Sequence, residues 1–506
     1  MLCRNINKLP FKGWGLNMIV LLLILLPLFG GLVTFFLKNE QAAKGWALLV
    51  SFATLVAAIA GATMKGGAES LSYSAPWLGT LGSSFSIRLD GMSSLLCLLT
   101  GIAYPLILLS TWKNDYRSAH NFFALMLLTQ AGLMGVFVAI DALLFYFFWE
   151  LALIPVYFLC SGWGGERRIQ ATFKFFIYTF AGSVLMLIGL LYLYFQTPDR
   201  SFAMEAFYNL KLSTSKQSWI FLLLFIAFAI KMPVFPFHTW QPDAYEQSPT
   251  AVTMVLSGIM VKMGVFAVLR WVLPVVPTAA YAWGDVVMSF AVIGIIYASL
   301  IAIRQDDIKR LVAYSSIAHI GLMVMAIFAE NEIGLQGVMM QMFNHGINII
   351  GLWIVVDAIE HQFGTRKLSE LGGIAQKAPG LAILLVIVAF ANISLPLTNA
   401  FVGEFLMFNG IWNGLSKYNV IFTAFAGLSI ILSAVYTLNM IQKVFFGATN
   451  NRTAAAKDIR VNEKLALSII VLLILVFGVY PQPLLNLTDG FVETLLKDAN
   501  IAQLVK

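Results

Sequence analysis

Apolar residues run in blocks of about twenty, separated by short polar stretches, along nearly the whole of this 506-residue chain. A helix of that length spans a hydrocarbon core ~30 Å thick, so each block reads as a membrane-crossing helix. The windows predict fourteen spans, at 17–37, 42–64, 89–112, 120–139, 141–161, 169–195, 218–238, 247–273, 279–303, 308–329, 333–360, 378–411, 418–447 and 463–488. The expected fold class is an all-α integral membrane protein.

Spans seven and twelve break the pattern. Span seven contains Lys231-Met-Pro-Val-Phe-Pro-Phe-His238, and span twelve carries Asn392-Ile-Ser-Leu-Pro-Leu-Thr-Asn399 inside an apolar run too long for one straight crossing. Proline removes a backbone donor and clashes with the preceding turn, so both helices should break there. A simple kink accounts for either one alone. Two breaks five spans apart suggest a duplicated five-helix unit, and an odd number of spans inverts the second copy, the architecture that places ion sites at the bilayer midplane. The expected organisation is one polytopic domain, 1–506. Repeat one covers about 120–273 and repeat two about 279–447, with flanking helices at 17–112 and 463–488.

Composition agrees with the pattern: 59% of residues are apolar and 11% charged, against roughly 25% charged in an ordinary soluble domain. The net charge of +7 comes from basic residues scattered through short loops, with no stripe or arm to grip nucleic acid. They act as topology signals. The loops after odd-numbered spans hold 18 Lys/Arg, among them Arg167, Arg168, Arg304, Lys309, Arg310, Arg366 and Lys367; the opposite side holds 12, and Lys231 and Lys262 sit inside spans. The positive-inside rule places the odd loops in the cytoplasm, although Arg4, Lys8 and Lys12 before the first span oppose this. That span is too long for a signal-peptide core and reads as uncleaved. Cys3, Cys97 and Cys160 are far apart, so neither a disulfide framework nor an iron–sulfur site is indicated.

An ionisable group in the hydrocarbon region costs several kcal/mol unless it is paired or hydrated, so each one needs a reason. Glu150 is central in span five, within Phe145-Tyr-Phe-Phe-Trp-Glu-Leu-Ala-Leu-Ile-Pro155; Lys231 borders the break of span seven; Lys262 is mid-span in Gly258-Ile-Met-Val-Lys-Met-Gly264. Burial lowers a lysine pKa and a nearby carboxylate raises it, a combination suited to loading and unloading protons near neutral pH. Glu150 and Lys231 are expected to form a switchable ion pair. His319 in span ten and His345 in span eleven titrate, if unperturbed, near ~6.5 and suit a relay, with a satisfied core histidine as the competing reading. Glu404, in Phe401-Val-Gly-Glu-Phe405, follows the second break as Lys231 borders the first. Asp357, Glu360 and His361 lie near a span end and are read as interfacial, and His238 as a support for the broken backbone. Together Glu150, Lys231, Lys262, His319, His345 and Glu404 form the expected proton pathway. No phosphate-cradling loop, nucleophile elbow or His-Glu-x-x-His appears.

Five stretches carry a resemblance: Phe148-Trp-Glu-Leu-Ala-Leu-Ile-Pro155, Lys231-Met-Pro-Val-Phe-Pro-Phe-His-Thr-Trp-Gln-Pro-Asp243, Ser248-Pro-Thr250, Asp307-Ile-Lys-Arg-Leu-Val-Ala-Tyr-Ser-Ser316 and His345-Gly346. Over roughly residues 85–450 the chain resembles the antiporter-like subunits of respiratory complex I and of Mrp-type cation/proton antiporters. Within that family some members typically carry lysine in span twelve, whereas one type carries glutamate in a Val-Gly-Glu-Phe setting, as at Glu404; the long lateral helix expected of another member is not seen. Gln241, Tyr245 and Ser248 depart from the commoner Leu, His and Ala.

The resemblance implies a non-redox subunit of a proton-pumping NADH:quinone oxidoreductase, driven at a distance by quinone reduction. No cofactor is expected in this chain; quinone and iron–sulfur or flavin centres belong to partner subunits. The implied partners are other membrane subunits of complex I, including sister antiporter-like subunits, in a bacterial inner (plasma) membrane. An Mrp-type antiporter subunit is the nearest alternative. A membrane enzyme holding haem between His319 and His345 is a more distant one, since it leaves the other buried charges without a task.

Overall fold

The computed structural model describes residues 14–64 and 71–499, with side chains described from Met18. Cys3, Arg4, Lys8 and Lys12 lie outside the described residues. Among the described residues, twelve helices are long and apolar enough to cross a membrane, and two shorter apolar helical segments, Met18–Thr34 and Pro379–Asn392, accompany them. Alternate connections collect at opposite ends of the bundle. At one end Arg366 reaches Glu246 and Lys44 reaches the Asn114 carbonyl; at the other Tyr208 bonds the Arg270 carbonyl and Leu415 the Ala329 carbonyl.

Both expected breaks are present. The first helix runs Thr214–Lys231, opens through the two prolines and resumes as Trp240–Gln247; the second runs Pro379–Asn392 and resumes as Asn399–Trp412. An interrupted helix exposes carbonyls that lipid cannot satisfy. Here backbone amides just past each break take most of those carbonyls, and side chains add further donors around the breaks. Trp240 Nε1 donates to the Ile230 carbonyl at 3.0 Å, Asn344 Nδ2 to the Asn399 carbonyl at 2.7 Å, and Asn348 Nδ2 to the Ala391 carbonyl at 3.5 Å.

Two helices, Thr250–Val272 and Glu332–Phe363, are enclosed by protein over their apolar lengths and form the axis of the bundle. The first is not regular: its turns widen to π geometry at Leu256–Met260 and again at Val268–Val272. By contrast, Arg168–Gln196 and Asn419–Phe445 show outward faces with Phe173, Phe180, Val420 and Ile431, as helices against lipid should.

Three features differ from the sequence expectation. The half-helix Trp240–Gln247 occupies ground read as a connection, because Gln241, Asp243, Glu246 and Gln247 dilute its hydropathy. Span fourteen, expected at 463–488, ends at Val479; Pro481 and Pro483 stop it, and the chain turns into a separate amphipathic helix, Gln482–Asp498. The all-α expectation also misses a hairpin, Ser72–Leu78 with Ser83–Arg88, in antiparallel register Ser72 to Arg88. Gly82 closes it at φ 67, where a Cβ would meet the Arg200 carbonyl oxygen, so no other residue fits.

Candidate functional site

Four of the six expected residues touch one another in the bundle axis. Lys262 follows the first wide turn of its helix, and its ammonium donates to the Ser257 carbonyl and lies against His345 Nδ1, both at 2.8 Å. The rings of His345 and His319 are 5.5 Å apart, centre to centre. His319 Nδ1 then meets Glu404 Oε1 at 3.2 Å, and Gln341 Nε2 approaches the same oxygen at 3.4 Å. All four side chains are buried, Lys262 completely. Each imidazole thus has one nitrogen committed to a terminal acid or amine, and its Nε2 is buried without a hydrogen-bond partner.

Glu150 and Lys231 form the other group. The expected ion pair between them is not made in this structure. Ser183 Oγ donates a short hydrogen bond to Glu150, while the Lys231 ammonium, buried and without a hydrogen-bond partner, faces the Trp149 ring at 5.4 Å. The hydroxyl and the indole face each satisfy one charge in part, which is why the pair can stand apart. Glu150 remains near enough to act on Lys231 through its charge.

His238 does not brace the broken backbone by a hydrogen bond: its Nδ1 has no partner, and its ring packs on Phe235 and Tyr297. The group read as interfacial is tied together at one end of the bundle, with Lys309 on Glu360 at 2.6 Å, His361 on Asp357 at 3.7 Å and Asn114 on Asp357 at 3.1 Å, and Asp357 itself is buried.

The family model described as "NADH:quinone oxidoreductase/Mrp antiporter, TM" matches residues 139–433, which contain every residue just named except Asn114. NADH-quinone oxidoreductase subunit M of Rickettsia prowazekii is 38% identical over 423 residues, covering 83% of this chain and 85% of that protein. The chain belongs to this family. Among solved structures, a chain of respiratory complex I from Thermus thermophilus with bound NADH superposes with a TM-score of 0.86 at 29% identity, over 94% of this chain and 100% of that one. A chain of the Mrp complex from Dietzia sp. DQ12-45-1b has the same fold, with a TM-score of 0.85 at 20% identity, over 97% of this chain and 99% of that one.

Compared with the antiporter-family pattern, the three loop departures have visible surroundings here. Ser248 Oγ bonds the Ala244 carbonyl and contacts Cys160 Sγ; Gln241 and Tyr245 are wholly buried, with the tyrosine ring against Trp353. Sequence reading also missed polar groups beside the row. Ser315 Oγ and the Tyr436 hydroxyl are 3.0 Å apart, and Asn392, at the second break, donates to Ser315. It missed a buried ion pair as well. Arg270 meets Asp90 at 2.6 Å and had been counted with the loop charges. Its position two helical turns after Lys262 was the available signal.

Proposed function

We propose that this chain is the M-type antiporter-like subunit of a quinone-reducing respiratory complex I. In this reading it carries protons from the cytoplasm to the outside through Glu150, Lys231, Lys262, His345, His319 and Glu404. Quinone reduction, with its iron–sulfur and flavin centres, takes place in partner subunits, among them sister antiporter-like subunits, and this chain has a non-redox role. The contact chain Lys262–His345–His319–Glu404 is the observation that supports the reading. A lysine ammonium beside an imidazole nitrogen shares one proton between two bases, so a small change in the surrounding charge moves it. The proton then leaves the far nitrogen of His345 for His319, and Glu404 takes it from there. Opening or closing the Glu150–Lys231 pair supplies the charge change that drives each step.

The finer architecture belongs to the same proposal: fourteen crossings in one polytopic domain, with two inverted five-helix units at about 120–273 and 279–447. The two interrupted helices, each with an ionisable residue beside the break, support it. The location is a bacterial plasma membrane.

The test is proton uptake into inverted vesicles energised through the electron-transfer partners, at equal subunit content. Glu404→Ala abolishes most of the uptake without loss of assembly, whereas Glu404→Lys, which keeps a proton carrier, retains part of it. Full uptake by Glu404→Ala moves the exit elsewhere. The shared fold with an Mrp complex keeps a cation/proton antiporter as the second reading. Sodium transport that needs no quinone reduction and is inhibited by a proton uncoupler favours it.

A further inference from the structure

A cavity of about 260 Å³ opens at the end of the bundle opposite Arg310, lined by Tyr281, Asp285, Phe328, Glu330, Ser416 and Lys417 among others. Glu330 ends the turn after the helix Ile308–Ile327, is 5% exposed, and its Oε2 is buried without a hydrogen-bond partner. Among the described residues neither Glu330 nor Asp285 is in an ion pair, although both line one cleft with Lys417. A desolvated carboxyl with no counter-charge is costly, and a cationic group entering the cleft would relieve that cost. Lys417 stands exposed at the rim, its ammonium over the Tyr418 ring at 4.8 Å.

The surroundings mark this as the water–lipid boundary. Tyr281, Trp412 and Tyr418 are exposed about the cleft, the residues that gather at headgroup level. From Tyr281 the helix Pro277–Arg304 runs toward the membrane centre with Val286, Phe290 and Ile293 exposed, an apolar track below the cavity. The cleft therefore offers acidic groups inside, a basic group at the rim and an apolar wall beneath. We propose that it binds a phospholipid whose headgroup bears a primary ammonium, of the phosphatidylethanolamine class. The ammonium donates its hydrogens to Glu330, Asp285 and the Ser416 hydroxyl, the phosphate takes Lys417, and the acyl chains lie along Val286 and Phe290. A quaternary choline has no N–H to donate and fits less well.

Carbodiimide coupling in the intact membrane assembly tests this. The reagent activates a carboxylate, the lipid amine attacks the acyl carbon to form an amide, and the carbodiimide leaves as its urea. With added dioleoyl phosphatidylethanolamine, the peptide carrying Glu330 or Asp285 should gain the mass of the lipid less water, and excess phosphatidylcholine should not suppress it. Lys417→Gln should weaken the lipid adduct on the order of tenfold, and leave coupling of free ethanolamine unchanged. Equal coupling of free ethanolamine and lipid would show a site for any small amine and overturn the proposal. So would a cross-link to a lysine of a neighbouring subunit, which would make the cleft a protein contact. Labelling confined to other surface carboxylates overturns it too. None of these outcomes bears on proton transport.

Discussion

Lys262 shows what burial does to a single residue: its ammonium has only a carbonyl and an imidazole nitrogen for partners, and no carboxylate compensates its charge directly. Such a group is a poor static strut, since a buried lysine without a counter-ion costs more than an apolar residue in the same place. It suits a site that is charged for part of a cycle. Glu330 is the acidic counterpart outside the spans, where burial pushes its carboxyl up to about 8. The sign follows from linkage: the folded protein holds this proton more tightly than the unfolded chain, whose value is near 4.5, so the favourable contribution is complete below pH 4.5. It is lost as pH rises through about 8. In lipid-free detergent, Glu330→Gln should melt with the native protein at pH 5 and above it at pH 9, a gap of about a few kcal/mol by tryptophan fluorescence. Matching melting curves at pH 9 would mean that the carboxyl is already paired. At this scale the sequence named all six ionisable residues of the proposed path, because charge inside an apolar run is visible letter by letter. It did not reveal that Ser183 holds Glu150, or that Gln341 stands beside Glu404, since serine and glutamine in a span look like ordinary packing.

Among the elements, the interrupted helices carry the design. Proline was enough to locate both breaks from the sequence, but the side-chain bonds at the second were not legible, because their donors come from distant residues, whereas at the first Trp240 is ten residues from the Ile230 carbonyl it reaches. Asn344 and Asn348 are on Glu332–Phe363, about fifty residues from the carbonyls they satisfy. Their contacts differ in length, 2.7 Å against 3.5 Å, and so should their worth. Asn344→Ala removes the shorter of the two bonds, which should cost about 1–1.5 kcal/mol in thermal unfolding and reduce proton uptake, because Glu404 follows on the same half-helix. Asn348→Ala should cost less than about 1 kcal/mol. Equal losses from the two substitutions would separate the half-helix from this anchoring. The π turns at Leu256–Met260 and Val268–Val272 escaped the sequence for a different reason: no proline signals them, although the first runs directly into the turn that carries Lys262 and the second contains Arg270.

Over the whole molecule, the two ends of the bundle are unlike. At one end Arg167, Arg310 and Arg366 all reach Glu246, Lys174 and Arg310 share Asp243, and Arg366 also holds Asp307, so connections far apart in sequence are tied into one network. Sequence patterning had assigned these residues to one side, and the ion pairs agree with that assignment without fixing which compartment the side faces. The charge bias does give a direction: the side with 18 Lys/Arg against 12 should be cytoplasmic. Single cysteines can test it once Cys3, which lies outside the described residues, is replaced by serine, because Cys97 and Cys160 are buried and should stay silent toward an impermeant maleimide. Asn451→Cys places a thiol on the exposed connection at the Arg310 end, and Ser215→Cys places one at the other end, both away from the ion network. In intact cells the Ser215 thiol should label and the Asn451 thiol should label only after lysis. Both variants should transport protons at the native rate, which shows that the labelled molecules are correctly folded. The reverse pattern would invert the bundle. Glu404 would then lie on the uptake side of Lys262, and the lipid cleft at Glu330 would open to the inner leaflet.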